Sequence, residues 1–176
     1  MESEPARECH DVSDDALPYI WHLLGEDALT QRFLLVAKMM ERVTSRKLQD
    51  EFGLSVAQWR VLAFVCISGP ASASFIGEAV EADQAEISRA VKTLIDSRLV
   101  TRDFEPGSRK TLIVSPTDAG KDLFLAIREH RRKYFSCITG QLDAAQKQSL
   151  NTMLTTLVHE VVKERSGSRS EPQSSD

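Results

Sequence analysis

Cysteine is scarce in this chain, and its three copies form no recognisable pattern. Cys9, Cys66 and Cys137 are an odd number at wide spacing, which fits neither a disulfide framework nor a zinc site. The four histidines also lack the close spacing of metal ligands. We therefore predict a protein with no metal and no other cofactor.

Long apolar runs and enzyme motifs are missing as well. No stretch approaches the ~18 consecutive apolar residues of a membrane span, and residues 1–15 are acidic without the apolar core of a secretory signal. A glycine-rich phosphate loop, a nucleophile elbow and a paired-carboxylate pattern are also absent. The expected location is the cytoplasm, and we do not predict an enzyme.

The chain also lacks net positive charge, and its formal net charge of -4 at first argues against a nucleic-acid partner. The acids are concentrated at one end, because residues 1–27 contain eight acidic residues and one basic residue. Between residues 84 and 110, six basic residues outnumber four acidic ones. DNA binding requires a local basic surface rather than a basic total, so this distribution permits it.

The hydrophobic fraction of 41% and the charged fraction of 27% are typical of a soluble globular protein. Turn signals and hydrophobic spacing predict five successive parts. These are an acidic tail over 1–15, N-terminal helices over 16–53, a central domain over 54–116, C-terminal helices over 117–164 and a polar tail over 165–176. We expect both tails to be disordered.

Two long predicted helices carry apolar stripes, one over residues 26–50 and one over 143–164. One small domain cannot cover both stripes, so we predict a homodimer. The alternative is that these helices fold back onto their own central domain. The first stripe consists of Leu29, Phe33, Val36, Met40, Val43 and Leu48, and the second of Leu150, Leu154, Leu157, Val158 and Val161.

Capping signals divide the central domain into short elements. Ser55 and Gln58 fit a capping box, and the helix that they begin ends at a Ser-Gly-Pro breaker. Ser72 and Asp83 fit the N-caps of two further helices joined by a tight turn, which is a helix-turn-helix candidate. The segments "LVTRDF", "EPGSRK" and "TLIVS" then predict a β-hairpin, and Thr117 fits the cap of another helix.

Three helices followed by a hairpin predict a winged helix-turn-helix domain. The fold class is therefore mainly α (α+β), with dimerisation helices N-terminal and C-terminal to the winged domain. The third helix buries Ile87, Val91 and Leu94 on one side, and a helix about 10 Å across fits the major groove of DNA. The polar side carries Gln84, Ser88, Arg89 and Lys92.

These polar residues suit contacts with DNA. Gln84 is suited to adenine and Arg89 to guanine, each through two hydrogen bonds, while Arg109 and Lys110 at the hairpin tip are placed to reach the minor groove. A solvated helix face shows the same residue types, so the ordered combination of elements is much more specific than any one piece. Small hydroxyl donors suited to phosphate are Ser72, Ser74 and Ser88.

The stretches "LSVAQWRVLAFV" and "GPASASFIGEAVEADQAEISRAVKTLIDSRLVTRDFEPGSRKTLIVSPTDAG" resemble the MarR family of bacterial winged-helix regulators. The resemblance covers about residues 28–162 and is sharpest over 54–120. It implies a dimer on a palindromic operator, with recognition helices about 34 Å apart. It also gives Arg109 the place of the wing-tip arginine, although Ser108 stands where the family usually has an acid. The implied groove-facing residues are Gln84, Ser88, Arg89 and Lys92.

The resemblance further implies control by a small ligand, often a phenol or an aromatic acid, bound between the dimer helices and the winged domain. Aromatic side chains stack on a ring, and His22 or Arg60 is suited to pair with its carboxylate. The alternative for Trp21 and Trp59 is an ordinary core position. The candidate effector-binding residues are Tyr19, Trp21, His22, Met39, Trp59 and Arg60.

A repressor is the predicted role, because a dimer bound at a promoter blocks polymerase without further machinery. Two alternatives remain open at this stage. One is a regulator of the same fold that senses oxidants through a cysteine, although Cys66 lies in an apolar helix where thiols are usually inert. The other is a winged-helix module that binds protein instead of DNA, against which the charges of Arg89 and Lys92 argue.

Overall fold

A computed structural model describes residues 17–25, 28–104, 107 and 111–167. Over these residues the chain forms a mainly helical winged helix-turn-helix fold with one small antiparallel sheet, which confirms the predicted fold class. The elements in chain order are α1 (Tyr19–Leu23), α2 (Leu29–Phe52), α3 (Val56–Ser68), β1 (Ala71–Ser72), α4 (Ala73–Ala79), α5 (Gln84–Asp96), β2 (Val100–Phe104), β3 (Leu112–Pro116), α6 (Asp118–Ile138) and α7 (Ala144–Gly167).

The predicted capping residues begin their helices as expected. The Ser55 hydroxyl accepts a hydrogen bond from the Gln58 N–H at 3.2 Å, and the Gln58 side chain accepts one from the Ser55 N–H at 2.7 Å. This reciprocal pair is the predicted capping box of α3. The Ser72 hydroxyl caps α4 by accepting from the Phe75 N–H at 3.2 Å.

The sheet contains one strand more than the predicted hairpin. Strands β2 and β3 pair antiparallel, with Val100 opposite Pro116 and Phe104 opposite Leu112. Strand β1 pairs with the other edge of β3, so β3 is the central strand. A two-residue strand is too short to show a hydrophobic period, which is why sequence patterning misses it.

The core of the winged domain forms where α3, α4 and α5 pack on one another and on the sheet. Val61 and Leu62 of α3 and Ile76 of α4 are fully buried, as are Ile87 and Leu94 of α5. Full burial of an aliphatic side chain of this size stabilises the fold by about 1.5–3 kcal/mol. The core therefore fixes which side of α5 faces outward.

A hydrogen-bonded junction joins the turn that follows α5 to the start of α6. The Thr117 hydroxyl lies 2.9 Å from the Arg98 carbonyl oxygen and 3.0 Å from that of Leu99, and it accepts a hydrogen bond from the Gly120 N–H at 3.0 Å. Arg98 has a positive φ of 58°, which lets the chain turn directly from α5 into β2. Thr117 thus caps α6, as predicted, and ties it to the root of the wing.

The described residues divide into two compact units, one ending at His130 and one beginning at Arg131. In the second unit, the Asp143 carboxylate accepts from the Gln146 N–H at 2.8 Å, and the Gln146 side chain accepts from the Asp143 N–H at 2.9 Å. This capping box starts α7, which continues to Gly167, beyond the expected end at residue 164.

Helix α2 begins at Leu29 with Ala28 as its N-cap, whereas the sequence predicted a helix from residue 26. Residues 26–27 lie outside the described residues. It ends at Gly53, whose φ of 65° is the left-handed conformation of a helix C-cap. Across the described part of the chain, no single helix is long and apolar enough to cross a membrane; α2 and α3 meet that test only as a pair bent by 80°. The predicted tail over 1–15 and most of that over 165–176 also lie outside the described residues.

Candidate DNA-binding surface

Helix α5 is fixed at its start and along one side. The Asp83 carboxylate caps it by accepting from the Glu86 N–H at 3.0 Å, as the sequence predicts. On the inner side, Ile87, Val91 and Leu94 are at most 2% exposed. The helix therefore cannot rotate without exposing this stripe, and its polar side has a defined direction.

All four side chains predicted to face a DNA groove are exposed on the outer side of α5. Arg89 and Lys92 are one helical turn apart, and Ser88 lies beside Arg89. Gln84 is the first residue of the helix. The structure thus brings Gln84, Ser88, Arg89 and Lys92 together on one surface, which we call the α5 outer face.

Gln84 makes a contact that sequence reasoning missed. A Cβ built on Gly77 of α4 would lie only 2.6 Å from the Gln84 Oε1 atom, so the Gln84 side chain occupies the place that a larger residue at position 77 would need. Gly77 itself is buried. The one available sequence signal was a glycine in the middle of a short helix, where alanine is the more stable residue.

The three serines predicted to contact phosphate differ in their surroundings. Ser72 is half-buried, and its hydroxyl both caps α4 and lies 3.2 Å from the Ser74 hydroxyl. Ser74 and Ser88 are exposed. Ser72 therefore has a structural role in addition to any contact with a ligand, whereas Ser74 and Ser88 are open to solvent.

Acidic residues surround the turn before α5. Glu78, Glu81, Asp83 and Glu86 are all exposed, and Glu81 adopts a positive φ of 53° in the tight turn. Asp83 has the capping role described above, and carboxylates near a helix N-terminus interact favourably with its dipole. These acids repel phosphate. The positive charge of the α5 outer face comes from Arg89 and Lys92, which lie further along the helix.

The wing supplies further exposed positions on β2, including Arg102. Strands β2 and β3 stay in register up to Phe104 and Leu112, which sets the base of the wing. The predicted wing-tip contacts Arg109 and Lys110 lie outside the described residues, as does Ser108. Their contribution to this surface remains a prediction.

The winged domain matches a known protein family. A family model described as MarR family matches residues 52–110. The chain carries a MarR-family winged-helix segment. The match spans α3, α4, α5 and β2, so it includes the entire α5 outer face. No curated protein sequence matches the chain.

Solved structures of MarR proteins share the fold. A MarR/EmrR family transcriptional regulator from Acinetobacter sp. ADP1 is 18% identical with a TM-score of 0.70, and the match covers 84% of this chain and 99% of that one. A MarR family regulator from Listeria monocytogenes, solved with a 26mer DNA, is 17% identical with a TM-score of 0.69 and coverage of 84% and 98%. The S. aureus MepR–DNA complex is 16% identical with a TM-score of 0.66 and coverage of 75% and 96%.

The two candidate effector residues on α3 already have partners within the protein. The Trp59 ring stacks on Phe124 of α6, with centroids 5.7 Å apart and planes at 15°, and the Arg128 guanidinium lies 5.5 Å from the Phe124 centroid. The Arg60 guanidinium lies 3.5 Å from the Glu41 carboxylate. A ligand carboxylate that binds Arg60 must therefore compete with Glu41.

The remaining candidates lie on α1 and α2. Trp21 lies beneath the Arg32 guanidinium, 5.1 Å from the ring centroid, and Arg32 also donates to the Leu24 carbonyl at 2.9 Å. These contacts fix Trp21 against α2, whereas Tyr19, His22 and Met39 are exposed. The structure thus does not bring these candidates together: Trp21 lies in a contact between α1 and α2, Arg60 in one between α2 and α3, and Trp59 in one between α3 and α6.

The cysteines require one correction, because Cys137 is disulfide-bonded although the spacing indicated no disulfide. Cys66, on α3, is free and half-buried. Burial raises the pKa of the Cys66 thiol, and the positive charge of Lys121 only partly opposes this shift. Since the thiolate is the reactive form, this environment disfavours Cys66 as an oxidant sensor.

Proposed function

We propose that this protein is a DNA-binding transcriptional regulator that reads an operator with the α5 outer face. The observation that carries the proposal is the two-sided character of α5. Its apolar side is buried in the core, and its exposed side carries Gln84, Ser88, Arg89 and Lys92. Side chains of these types recognise base edges and phosphates.

DNA explains this surface better than a protein partner does. Interface cores between proteins are depleted in charge, whereas the α5 outer face is centred on the exposed cations Arg89 and Lys92. The two solved complexes described above contain DNA bound by proteins of this fold. Those complexes support DNA as the partner of this chain.

Fluorescence anisotropy with DNA from upstream of the protein's own gene tests this function. Two copies of α5 bring four cations to the DNA, so binding should weaken roughly 100-fold between 50 and 200 mM salt through counterion release. Unrelated DNA of equal length is the control. Binding that is absent at low salt, or equal for both DNAs and insensitive to salt, would contradict the proposal.

A homodimer is the proposed assembly, since much apolar surface remains exposed on the single chain. In the first half of α2, Leu29 is 71% exposed, and none of the predicted stripe before Leu48 is buried. Over residues 144–166, helix α7 contains no buried residue. Large exposed apolar patches mark interaction sites, and a second copy of the chain would cover these side chains on each helix. Two-fold symmetry then favours a palindromic operator.

Sedimentation equilibrium at micromolar concentration should find a dimer, and Leu157→Asp on α7 should dissociate it. Leu157 is 47% exposed in the single chain, so the aspartate costs little in the monomer but places two charges in the proposed interface. Gln148→Asp, at an exposed polar position on α7, adds the same charge away from the stripe and should leave the dimer intact. A monomeric wild-type chain would overturn the assembly.

We further propose that the regulator is a repressor in a bacterial cytoplasm and that a small aromatic acid releases it from DNA. The Arg60–Glu41 pair supports a carboxylate ligand, because Arg60 already holds one carboxylate at 3.5 Å. An effector carboxylate would replace that of Glu41 and bring its ring towards neighbouring aromatic side chains.

Titration calorimetry with a panel of aromatic acids tests this effector class. Glu41→Gln removes the competing carboxylate and should tighten binding about fivefold, since exposed ion pairs of this kind contribute up to about 1 kcal/mol. Arg60→Ala should abolish the gain. If no acid produces heat or lowers DNA affinity, the effector proposal fails while the DNA-binding proposal stands.

A further inference from the structure

Gly77 lies in the middle of α4, where glycine is less favourable than alanine. Its backbone does not require glycine, because it does not share the positive φ of Gly53, Gly69 and Gly107. The residue is also buried, so solvent does not set its identity. The reason for a glycine here lies in the space beside it.

That space is occupied by the carboxamide of Gln84. A Cβ at Gly77 would lie 2.6 Å from Gln84 Oε1, far inside van der Waals contact. The next neighbours, Gln84 Cδ at 3.6 Å and the Ala82 carbonyl oxygen at 3.7 Å, lie at ordinary contact distances. A methyl group at position 77 would thus conflict with one side-chain atom and with nothing else nearby.

The same distances give the orientation of the carboxamide. The oxygen lies about 1 Å closer to the missing Cβ than Cδ does, so the oxygen is turned towards α4 and the NH2 group is turned away from it. Gln84 is exposed at the first position of α5. Its outward group is therefore a hydrogen-bond donor.

We propose that Gly77 is a positioning residue that holds Gln84 with its NH2 group outward, so that Gln84 reads an acceptor on a base edge. This inference rests on the proposed DNA-binding function. It changes the expectation for Gln84, because pairing with adenine through two hydrogen bonds requires both the oxygen and the nitrogen. Major-groove acceptors that suit a single donor are N7 of guanine or adenine, guanine O6 and thymine O4.

A thermal cycle without DNA tests the contact itself. In the Gln84→Ala background, Gly77→Ala meets no obstacle and should raise the melting temperature by about 2–4 °C through helix propensity. In the wild-type background the same substitution must displace the carboxamide and should raise it by less. Equal shifts in both backgrounds would overturn the proposed contact. Because only the end of a flexible side chain has to move, all four proteins should fold.

Selection from a DNA library with a randomised site tests the effect on reading. Gln84→Ala identifies the base pair that depends on Gln84, and Gly77→Ala should reduce the preference at that same pair about fivefold or more. The double variant should match Gln84→Ala alone. Ala79→Gly, an exposed change in the same helix, alters helix propensity without this contact and should leave the preference unchanged.

The two experiments separate the two ways in which the proposal can fail. If Gln84→Ala changes the preference and Gly77→Ala does not, the positioning role is wrong although the protein reads DNA. If the wild-type protein selects no sequence, the proposed function itself is wrong, and the thermal cycle still decides whether Gly77 orients Gln84.

Discussion

Replacing Gly120 with alanine is expected to lower the free energy of unfolding by about 3 kcal/mol or more. A Cβ at this position would lie 2.0 Å from the Leu99 carbonyl oxygen, which is backbone and cannot rotate away. That oxygen also accepts a hydrogen bond from the Thr117 N–H at 3.1 Å. The methyl group must therefore separate α6 from the root of the wing. Circular dichroism should show a melting temperature lower by about 6–12 °C.

Gly25→Ala is the matched control for this experiment. A Cβ at Gly25 would meet nothing within 4 Å, and its φ is not positive, so the melting temperature should change little. If Gly120→Ala prevents folding, Thr117→Ala still tests the junction, since loss of the α6 cap should cost about 1 kcal/mol. If the Gly120→Ala protein were as stable as Gly25→Ala, the prediction would be wrong, because the backbone at the α6 junction would then move without lowering the free energy of unfolding.

The helix starts of the winged domain were predictable because each depends on residues within one turn. Ser55, Ser72, Asp83 and Thr117 accept hydrogen bonds from N–H groups three residues ahead, as their side chains predict. The third helix was equally clear, since its apolar period of 3.6 residues marks the side that the core buries. Local chemistry and periodicity therefore sufficed for the order of elements and for the fold class.

The strand and ring contacts that the sequence did not reveal join residues that are distant in the chain. Strand β1 forms only because Ala71 pairs with Val114, and the Trp59 ring stacks on Phe124, which is 65 positions away in the sequence. No period or spacing records such contacts. Trp59 could therefore be assigned to a ligand cleft or to the core with nearly equal reason, and the structure places its ring against Phe124.

The candidate site likewise has features that the sequence predicted and features that it did not. That Gln84, Ser88, Arg89 and Lys92 share an exposed face followed from the helical period, and the structure confirms this exposure. The direction of the Gln84 carboxamide did not follow, because it depends on the absence of a side chain at Gly77, seven positions away on another helix. Glycine in a helix marks such a position but does not identify what fills the space.

Replacing Arg89 with alanine is expected to weaken operator binding roughly 30-fold or more, which corresponds to about 2 kcal/mol. The reason is that each copy in a dimer would lose one base contact, and such a contact contributes about 1–3 kcal/mol. Arg89 is exposed near the middle of α5, while the helix is held from its other side by Ile87 and Val91. The fold should therefore be unaffected. Anisotropy at fixed salt measures the loss, and the melting temperature verifies the fold.

Two further variants determine what kind of contact Arg89 makes. Arg42→Ala removes an exposed arginine from α2, outside the α5 outer face, and should change affinity less than about twofold, because exposed charges that do not contact the DNA are screened by salt. Arg89→Lys keeps the charge but loses the planar fork that matches guanine, so it should preserve the salt dependence while reducing sequence preference. Equal losses for Arg42→Ala and Arg89→Ala would mean that net charge, rather than the α5 outer face, drives binding.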